Sequence, residues 1–436
     1  HILPNFKNKF CTFLLKFSLK FKPNLGSIMN SKIIKELYMD YLALAKKYQT
    51  PLYVYDFDHI TAQYERLKKE FNARKSLICY AVKANSNLSL LKHIATLGGG
   101  FDCVSIGEVK RALLAGASSY KIIYSGVGKS DEEIKEALNL DILMINLESF
   151  AEMQRVELIA KELGKKARIS VRVNPNVDPK THPYISTGLH ENKFGVSINE
   201  ARKIYLHAHR SDNLDPVGIH CHIGSQLSDI SPVIEAANIT SDLLRELRAA
   251  DINIKFFDIG GGIGIRYSDE NEPNLYEYAQ GILAALKGQD ATIVCEPGRF
   301  IVGNSGELIT QVLYEKTNGD KRFVIVDAAM NDLLRPSLYE AYHEIVALKD
   351  GDKTNCDVVG PICESGDFLG KDIELPKLEH GDILIIKSAG AYGYSMSSNY
   401  NTRGRAAQVA IEGGKDRLIG KRESFEDMIQ NEREFI

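Results

Sequence analysis

The 436-residue sequence contains no tryptophan, which excludes no class of function, and no CxxC pair among its seven cysteines. Those cysteines, at 11, 79, 103, 221, 295, 356 and 363, are odd in number and scattered, so buried, reduced thiols in a cytoplasmic protein are the simplest reading. An excess of positive charge is also missing: Lys and Arg total 54 against 57 Asp and Glu, a formal net charge of −3. That balance lacks the basic stripe of a nucleic-acid-binding surface. No apolar run reaches the ~20 residues of a membrane helix, so no membrane partner is expected. The first 35 residues lack any acid, and they also lack arginine. Phe13–Phe17 is apolar but interrupted by Lys16, a poor secretory core, and without arginine the stretch is a poor transit peptide. Residues 1–28 are therefore read as a disordered or spurious extension ahead of a start at Met29 or Met39.

From Pro51 onward, short β-like runs alternate with longer helical patterns. Eight runs stand out: 77–82, 100–104, 120–124, 142–146, 167–173, 217–221, 254–259 and 292–295. Helical patterns fill the gaps, among them 131–138, 150–163, 234–249 and 275–286. The mean repeat is about 30 residues, the size of one βα unit. Eight such units close a (β/α)₈ barrel better than they fill an open, doubly wound sheet. After Gly298 the pattern changes. Two β runs flank Asn318-Gly319, a strong hairpin signal, and further runs at 356–359, 382–387 and 406–411 are separated by turn residues. The expected fold is α/β: a barrel over 51–297, and an antiparallel β domain formed by 29–50 and 298–436.

Several runs end in reactive groups, the layout of a catalytic barrel mouth. Lys83 follows the first run. A lysine leaving a strand for solvent is common, but at a barrel mouth it becomes a candidate for covalent chemistry with a carbonyl. The seventh run ends in Asp258-Ile259-Gly260-Gly261-Gly262-Ile263-Gly264, where bare backbone N–H groups can converge on a phosphate. The eighth ends in Glu296-Pro297-Gly298-Arg299, either a structural ion pair or an acid for a ring nitrogen beside a base for an anionic substrate. The sixth carries His220 and His222, placed by alternation on one strand face. They suit a zinc site, or His222 can stack on a flat cofactor with Ser225 on a phosphate. The fifth offers only Arg172 and Asn174, so further metal ligands are lacking and no metal is expected. A lysine, a phosphate cradle, an acid for a ring nitrogen and a stacking imidazole together describe a pyridoxal-phosphate site.

Tyr80-Ala81-Val82-Lys83-Ala84-Asn85, His222-Ile223-Gly224-Ser225-Gln226, the 260–264 loop and Glu296-Pro297-Gly298-Arg299 resemble the barrel-type pyridoxal-phosphate decarboxylases. Within that group the sequence is most similar, over roughly 51–411, to the diaminopimelate decarboxylases. The resemblance implies a carboxy-lyase that converts meso-2,6-diaminopimelate to L-lysine and CO₂, the last step of lysine biosynthesis. It implies cofactor contacts from Lys83, Asp102, His222, Ser225, Gly260, Gly261, Gly262, Glu296, Gly298, Arg299 and Tyr392. Segment 331–339 is similar to the family's substrate segment, which implies that Arg335 and Tyr339, joined by Arg299, grip the distal carboxylate. Segment 363–367 is similar to its catalytic segment, implying that Cys363 protonates the carbanion and Glu364 binds the distal ammonium. Tyr392 is implied to touch cofactor and substrate. In the family, the counterparts of Cys363 and Glu364 reach a neighbouring subunit's site, so a homodimer with composite sites is expected. Rival readings are a decarboxylase of carboxynorspermidine, arginine or ornithine, an alanine-racemase-like enzyme, and a non-catalytic cofactor carrier. The sequence departs from the family near its C terminus, with Gly404 where proline is expected and Gln408 where glutamate is expected. The first departure puts the stiffness of that loop in question.

Overall fold

The computed structural model describes residues 40–178 and 193–436. The proposed extension 1–28, and 29–39 of the segment assigned to the β domain, lie outside the described residues. By internal contacts the chain forms a small unit ending at Lys47 and a large one from Tyr48 to Ile436. The described part of the small unit is the start of a helix, Tyr41–Tyr48.

Within the large unit, eight strands close a parallel barrel: β2 (Ser76–Ala81), β3 (Gly100–Cys103), β4 (Ile122–Tyr124), β5 (Met144–Leu147), β6 (Ala167–Arg172), β7 (Leu214–His220), β8 (Phe256–Asp258) and β9 (Thr292–Cys295). All eight expected runs are present, each within a few residues of its expected bounds. β9 pairs with β2 to complete the ring, Ile78 lying opposite Cys295. Strands buried on both faces read as unbroken apolar runs, which is why they were legible. Cys79, Ile123, Leu143, Met144, Val217 and Val294 form a cluster of their own, apart from the larger core. Serine starts several barrel helices. Ser105, Ser130, Ser149 and Ser197 each accept from the backbone N–H three residues on, which satisfies an orphan donor of the first turn.

The second layer is a nine-stranded sheet. It contains β1 (Leu52–Asp56), β10 (Gly306–Asn318), β11 (Lys321–Val326), β12 (Ile345–Ala347), β13 (Thr354–Val359), β14 (Phe368–Leu375), β15 (Ile383–Ile386), β16 (Ala407–Glu412) and β17 (Lys415–Gly420). Two expectations are corrected here. The sheet is mixed, because β1 runs parallel to β16 and β11 parallel to β13, while its other pairs are antiparallel. And β1, inside the segment assigned to the barrel, is a central strand of the sheet between β10 and β16. Leu52, Tyr53, Val54 and Tyr55 are fully buried, and an apolar run of that kind does not reveal which sheet it joins. The hairpin at 318–319 forms, with Asn318 and Lys321 paired, so its turn is Gly319-Asp320, one residue later than expected.

Gly404 also has a physical reason. A Cβ placed there would lie 2.3 Å from the Glu423 carbonyl oxygen, and Arg405 is ion-paired to the Glu423 side chain at 3.2 Å. Close backbone approach, rather than the ring of a proline, shapes that loop. Gln408 is buried and accepts from the Tyr55 hydroxyl at 3.3 Å.

Candidate active site

A cavity of about 530 Å³ opens at the C-terminal ends of the barrel strands, within the usual range for small-molecule sites. Its walls include Lys83, Asp102, His222, Ser225, Gly261, Gly262, Glu296, Gly298, Arg299, Arg335, Tyr339 and Tyr392. The structure thus brings together twelve residues that the sequence placed on separate segments. Gly260 is not among the lining residues. It makes the turn instead, at φ +67°, and its N–H donates to Asp258 Oδ1 at 2.9 Å.

Lys83 sits in the single turn Val82–Ala84 that ends β2, with its side chain lining the cavity. The loop after β15 braces this turn: the Tyr392 N–H donates to the Ala84 carbonyl at 2.8 Å. Tyr392 holds that position with a left-handed backbone, φ +57°. The loop after β8 approaches its neighbours as only glycine allows. A Cβ on Gly261 would meet the Glu296 carbonyl oxygen at 2.2 Å, and one on Gly262 the Gly224 oxygen at 2.3 Å. Gln226 stitches this loop to the 222–226 string. Its amide donates to the Ile265 carbonyl at 2.6 Å and accepts from the Ile265 N–H at 3.2 Å.

The charges are arranged around Lys83. Burial pulls its ammonium down, but Asp102, Tyr392 and Glu296 outweigh that, so the pKa ends above the ordinary lysine value. Asp102 is buried, and burial together with the nearby Glu296 pushes its carboxyl up to about 7. Glu296 behaves oppositely. Burial raises it, but His220, His222 and Asp258 more than offset this, and it ends at about 2. Asp258, fully buried beside Glu296, is driven well up by burial and by that charge. The pair therefore keeps its proton on Asp258 and its charge on Glu296. Burial first, then Arg172 and Lys83, hold His222 neutral. Its Nδ1 accepts from the Gly261 N–H at 3.3 Å, which places the ring proton on Nε2.

His220 and His222 do not form the pair that alternation suggested. His220 ends β7 and is buried, 3.3 Å from Glu296, whereas His222 lies beyond the strand at the cavity wall. Among the described residues, the metal-type cluster is His220, Asp258 and Glu296, with ligand atoms within 4.8 Å of one another. Asp258 was not singled out from the sequence, although it opens the glycine run. Arg172, noted only as a poor metal ligand, is buried against Glu148 at 3.2 Å and donates to the His222 carbonyl at 3.3 Å.

Two guanidiniums also line the cavity. Arg299 donates to the Tyr267 hydroxyl at 2.6 Å and to Ser225 Oγ at 3.2 Å, and lies over the Tyr392 ring at 4.9 Å. Arg335, the first residue of a short helix, lies over Tyr267 at 4.8 Å with Nη1 2.8 Å from His343 Nε2. Tyr267 and His343 carry no sequence motif and were not anticipated. Cys363 and Glu364 are absent from the cavity of their own chain, for both are exposed. Their loop is held rigidly, with Asp367 accepting from the Met330 N–H at 2.7 Å and the Ile362 N–H at 2.8 Å.

Pyridoxal phosphate suits this cavity. Gly261 and Gly262 line it with backbone that carries no side chain, and Asp102 Oδ1 is a buried acceptor without a donor among the described residues. Glu296 is a buried anion paired with no lysine or arginine among the described residues, as expected of an acid reserved for a protonated ring nitrogen.

The comparisons agree. The family described as "Pyridoxal-dependent decarboxylase, pyridoxal binding domain" matches residues 57–303, more than half of the chain. Diaminopimelate decarboxylase of Campylobacter jejuni is 62% identical over 400 residues, covering 91% of this chain and 100% of the relative. The crystal structure of diaminopimelate decarboxylase from Helicobacter pylori complexed with L-lysine is 56% identical with a TM-score of 0.89, covering 91% of this chain and 100% of that one. The M. jannaschii enzyme in complex with L-lysine is 40% identical with a TM-score of 0.86, covering 90% and 94% of the two chains. This chain belongs to the family of diaminopimelate decarboxylases, pyridoxal-phosphate-dependent enzymes of the barrel type.

Proposed function

We propose that the protein removes one carboxylate of meso-2,6-diaminopimelate as CO₂ and releases L-lysine, the last step of lysine biosynthesis, in the cytoplasm. The observation that carries this reading is the set of charges in one cavity. A lysine flanked by acids lines it, and so do two buried arginines without acid partners among the described residues. A diamino diacid has a reacting centre for the first and a distal carboxylate for the second. Carboxynorspermidine, arginine and ornithine lack a distal α-amino-acid centre that would use both arginines.

When bound, pyridoxal phosphate supplies the electron sink for the pair left at Cα as CO₂ departs. The chain's own residues do the rest. Lys83 Nζ is the amine that would hold the cofactor's aldehyde carbon and be displaced by the substrate amine. Glu296, kept anionic while Asp258 carries their proton, would hold the proton on the ring nitrogen. Neutral His222 offers a flat ring without a competing charge. The backbone of 260–262, Ser225, Gly298 and Arg299 would hold the phosphate end, with Asp102 and Tyr392 flanking. Arg335, Tyr339 and Arg299 would bind the distal carboxylate, for which the guanidinium's fork is shaped. Cys363 Sγ would deliver the proton to Cα, and Glu364 would take the distal ammonium. Their exposure on this chain fits a homodimer in which they complete the partner's cavity.

The test is incubation of the cofactor-loaded protein with meso-diaminopimelate, followed by detection of CO₂ and L-lysine. Absence of both products overturns the reading. So does activity that a chelator abolishes and zinc restores, which would turn attention to the cluster of His220, Asp258 and Glu296. The composite site has its own test. Lys83→Ala and Cys363→Ala subunits, each inactive alone, are expected to recover about a quarter of wild-type activity when mixed equally and allowed to exchange, because half of the heterodimer's sites are intact. No recovery from exchanged subunits would place Cys363 in its own chain's site or outside the reaction.

A further inference from the structure

Arg299 and Arg335 are each only 7% exposed, and buried charges are normally paired. Here the groups acting on them are Tyr267, Tyr392, Tyr339 and, for Arg335, Arg299 itself. Neither arginine is ion-paired with an acid among the described residues. What holds them is neutral. Arg299 is fixed by two hydroxyls, Tyr267 Oη and Ser225 Oγ, and Arg335 by the imidazole of His343.

The imidazole is itself locked. His343 is 2% exposed, and its Nδ1–H donates to the Lys387 carbonyl at 2.9 Å. That bond fixes the tautomer and leaves the Nε2 lone pair to accept from Arg335 Nη1 at 2.8 Å. The Lys387 carbonyl is immobile, because the Lys387 N–H donates to the Glu344 carbonyl at 2.9 Å and Nζ pairs with Glu307 at 2.6 Å. Tyr267 stands edge-on to the His343 ring, with centroids 5.5 Å apart and planes at 85°, so one aromatic pair braces both arginines. Burial, then the charge of Arg335, pushes the imidazole's pKa down to about 3, so the ring is uncharged under any working condition.

We infer that His343 is a specificity-determining positioning residue. By orienting Arg335 through a neutral acceptor where a carboxylate would serve equally well for orientation, it keeps the guanidinium's charge uncompensated and available to the substrate's distal carboxylate. The inference rests on the reading of Arg335 as that carboxylate's partner. An acid at position 343 would orient Arg335 just as well and would cancel its charge, which separates the electrostatic role from the structural one.

The experiment uses cofactor-loaded enzyme and two readouts. One is steady-state kinetics on meso-diaminopimelate. The other is calorimetric binding of pimelate, which carries both carboxylates at the same spacing and no amine. His343→Glu is expected to raise KM and the pimelate Kd together by about ten- to a hundredfold, with kcat moving by less than about threefold. His343→Gln, which keeps a neutral acceptor, is expected to hold both binding constants within about threefold of wild type. Pimelate bound by His343→Glu as tightly as by wild type overturns the inference. So does a Gln variant as weak as the Glu variant, which would make the ring's packing the whole effect. Should the Glu variant fail to fold, His343→Leu against His343→Gln decides. Leu is expected to weaken pimelate by about tenfold while Gln does not, and equal losses overturn the inference. A wild-type enzyme that neither binds pimelate nor releases lysine overturns the proposed reaction itself, and this inference with it.

Discussion

Replacement of Arg335 by alanine is expected to lower kcat/KM for meso-diaminopimelate by about 10²- to 10³-fold, the loss that follows when one partner of a buried, hydrogen-bonded charge pair is removed. The side chain is buried in the cavity wall and its position is set by Tyr267 and His343. On the proposed reading, its removal would leave the substrate's distal carboxylate with Arg299 and Tyr339 alone. The loss should be selective. A substrate without a distal carboxylate gains nothing from Arg335 in the wild-type enzyme, so its slow turnover, if measurable, should fall far less. Arg335→Lys should recover part of the charge but not the two-point grip, because an ammonium is a point charge. The check is kcat/KM for the three enzymes on diaminopimelate, beside the melting temperature of each. Near-normal turnover by the alanine variant would remove Arg335 from the substrate site.

The second large effect belongs to Lys83. Lys83→Ala is expected to abolish the absorbance near ~420 nm that marks cofactor bound to a lysine amine, and to reduce kcat by at least about a thousandfold. The other contacts proposed for the cofactor, from the glycine loop, Ser225, Arg299 and Glu296, would not depend on the amine. Cofactor should therefore still copurify, absorbing as the free aldehyde. Loss of the amine also removes the lysine charge that lowers the Asp102 pKa. Asp102 should then stay protonated to higher pH in the variant. A Lys83→Ala protein that keeps the band would assign the attachment to another amine, and the barrel mouth would have to be reread.

Much of this was legible in the sequence because barrel strands advertise themselves. An eight-fold alternation of apolar runs and helical patterns has few other architectures to enter, and the polar residue just past each run must lie at the mouth. Lys83, His222 and Glu296 were found in that way. β1 was missed for the converse reason: its partners begin at Gly306 and Ala407, and no local pattern records a pairing across 250 residues or more. Tyr267, His343 and Asp258 were missed because each acts through geometry alone. A tyrosine after a glycine run, or a histidine in a loop, has no spacing that announces which arginine it will hold. Cys363 and Glu364 lie at the opposite limit. Their segment was conspicuous, yet the fold of one chain gives them nothing to act on.

The central place of β1 has a consequence for how the molecule is made. A nascent chain emerging N-terminus first exposes Leu52–Asp56 long before Gly306 or Ala407 has been synthesised. The barrel strands pair mostly with sequence neighbours and can assemble on emergence, whereas the sheet must wait for both ends of the chain. During that interval β1 is a free, mostly apolar edge, the kind of segment that seeks a foreign strand. Tyr392, whose N–H braces the Ala84 carbonyl, is itself made only after β15. The lysine turn is therefore among the last features to be secured, and a chain cut short before β10 would carry a barrel, an unpartnered strand, and a binding site without its clamp.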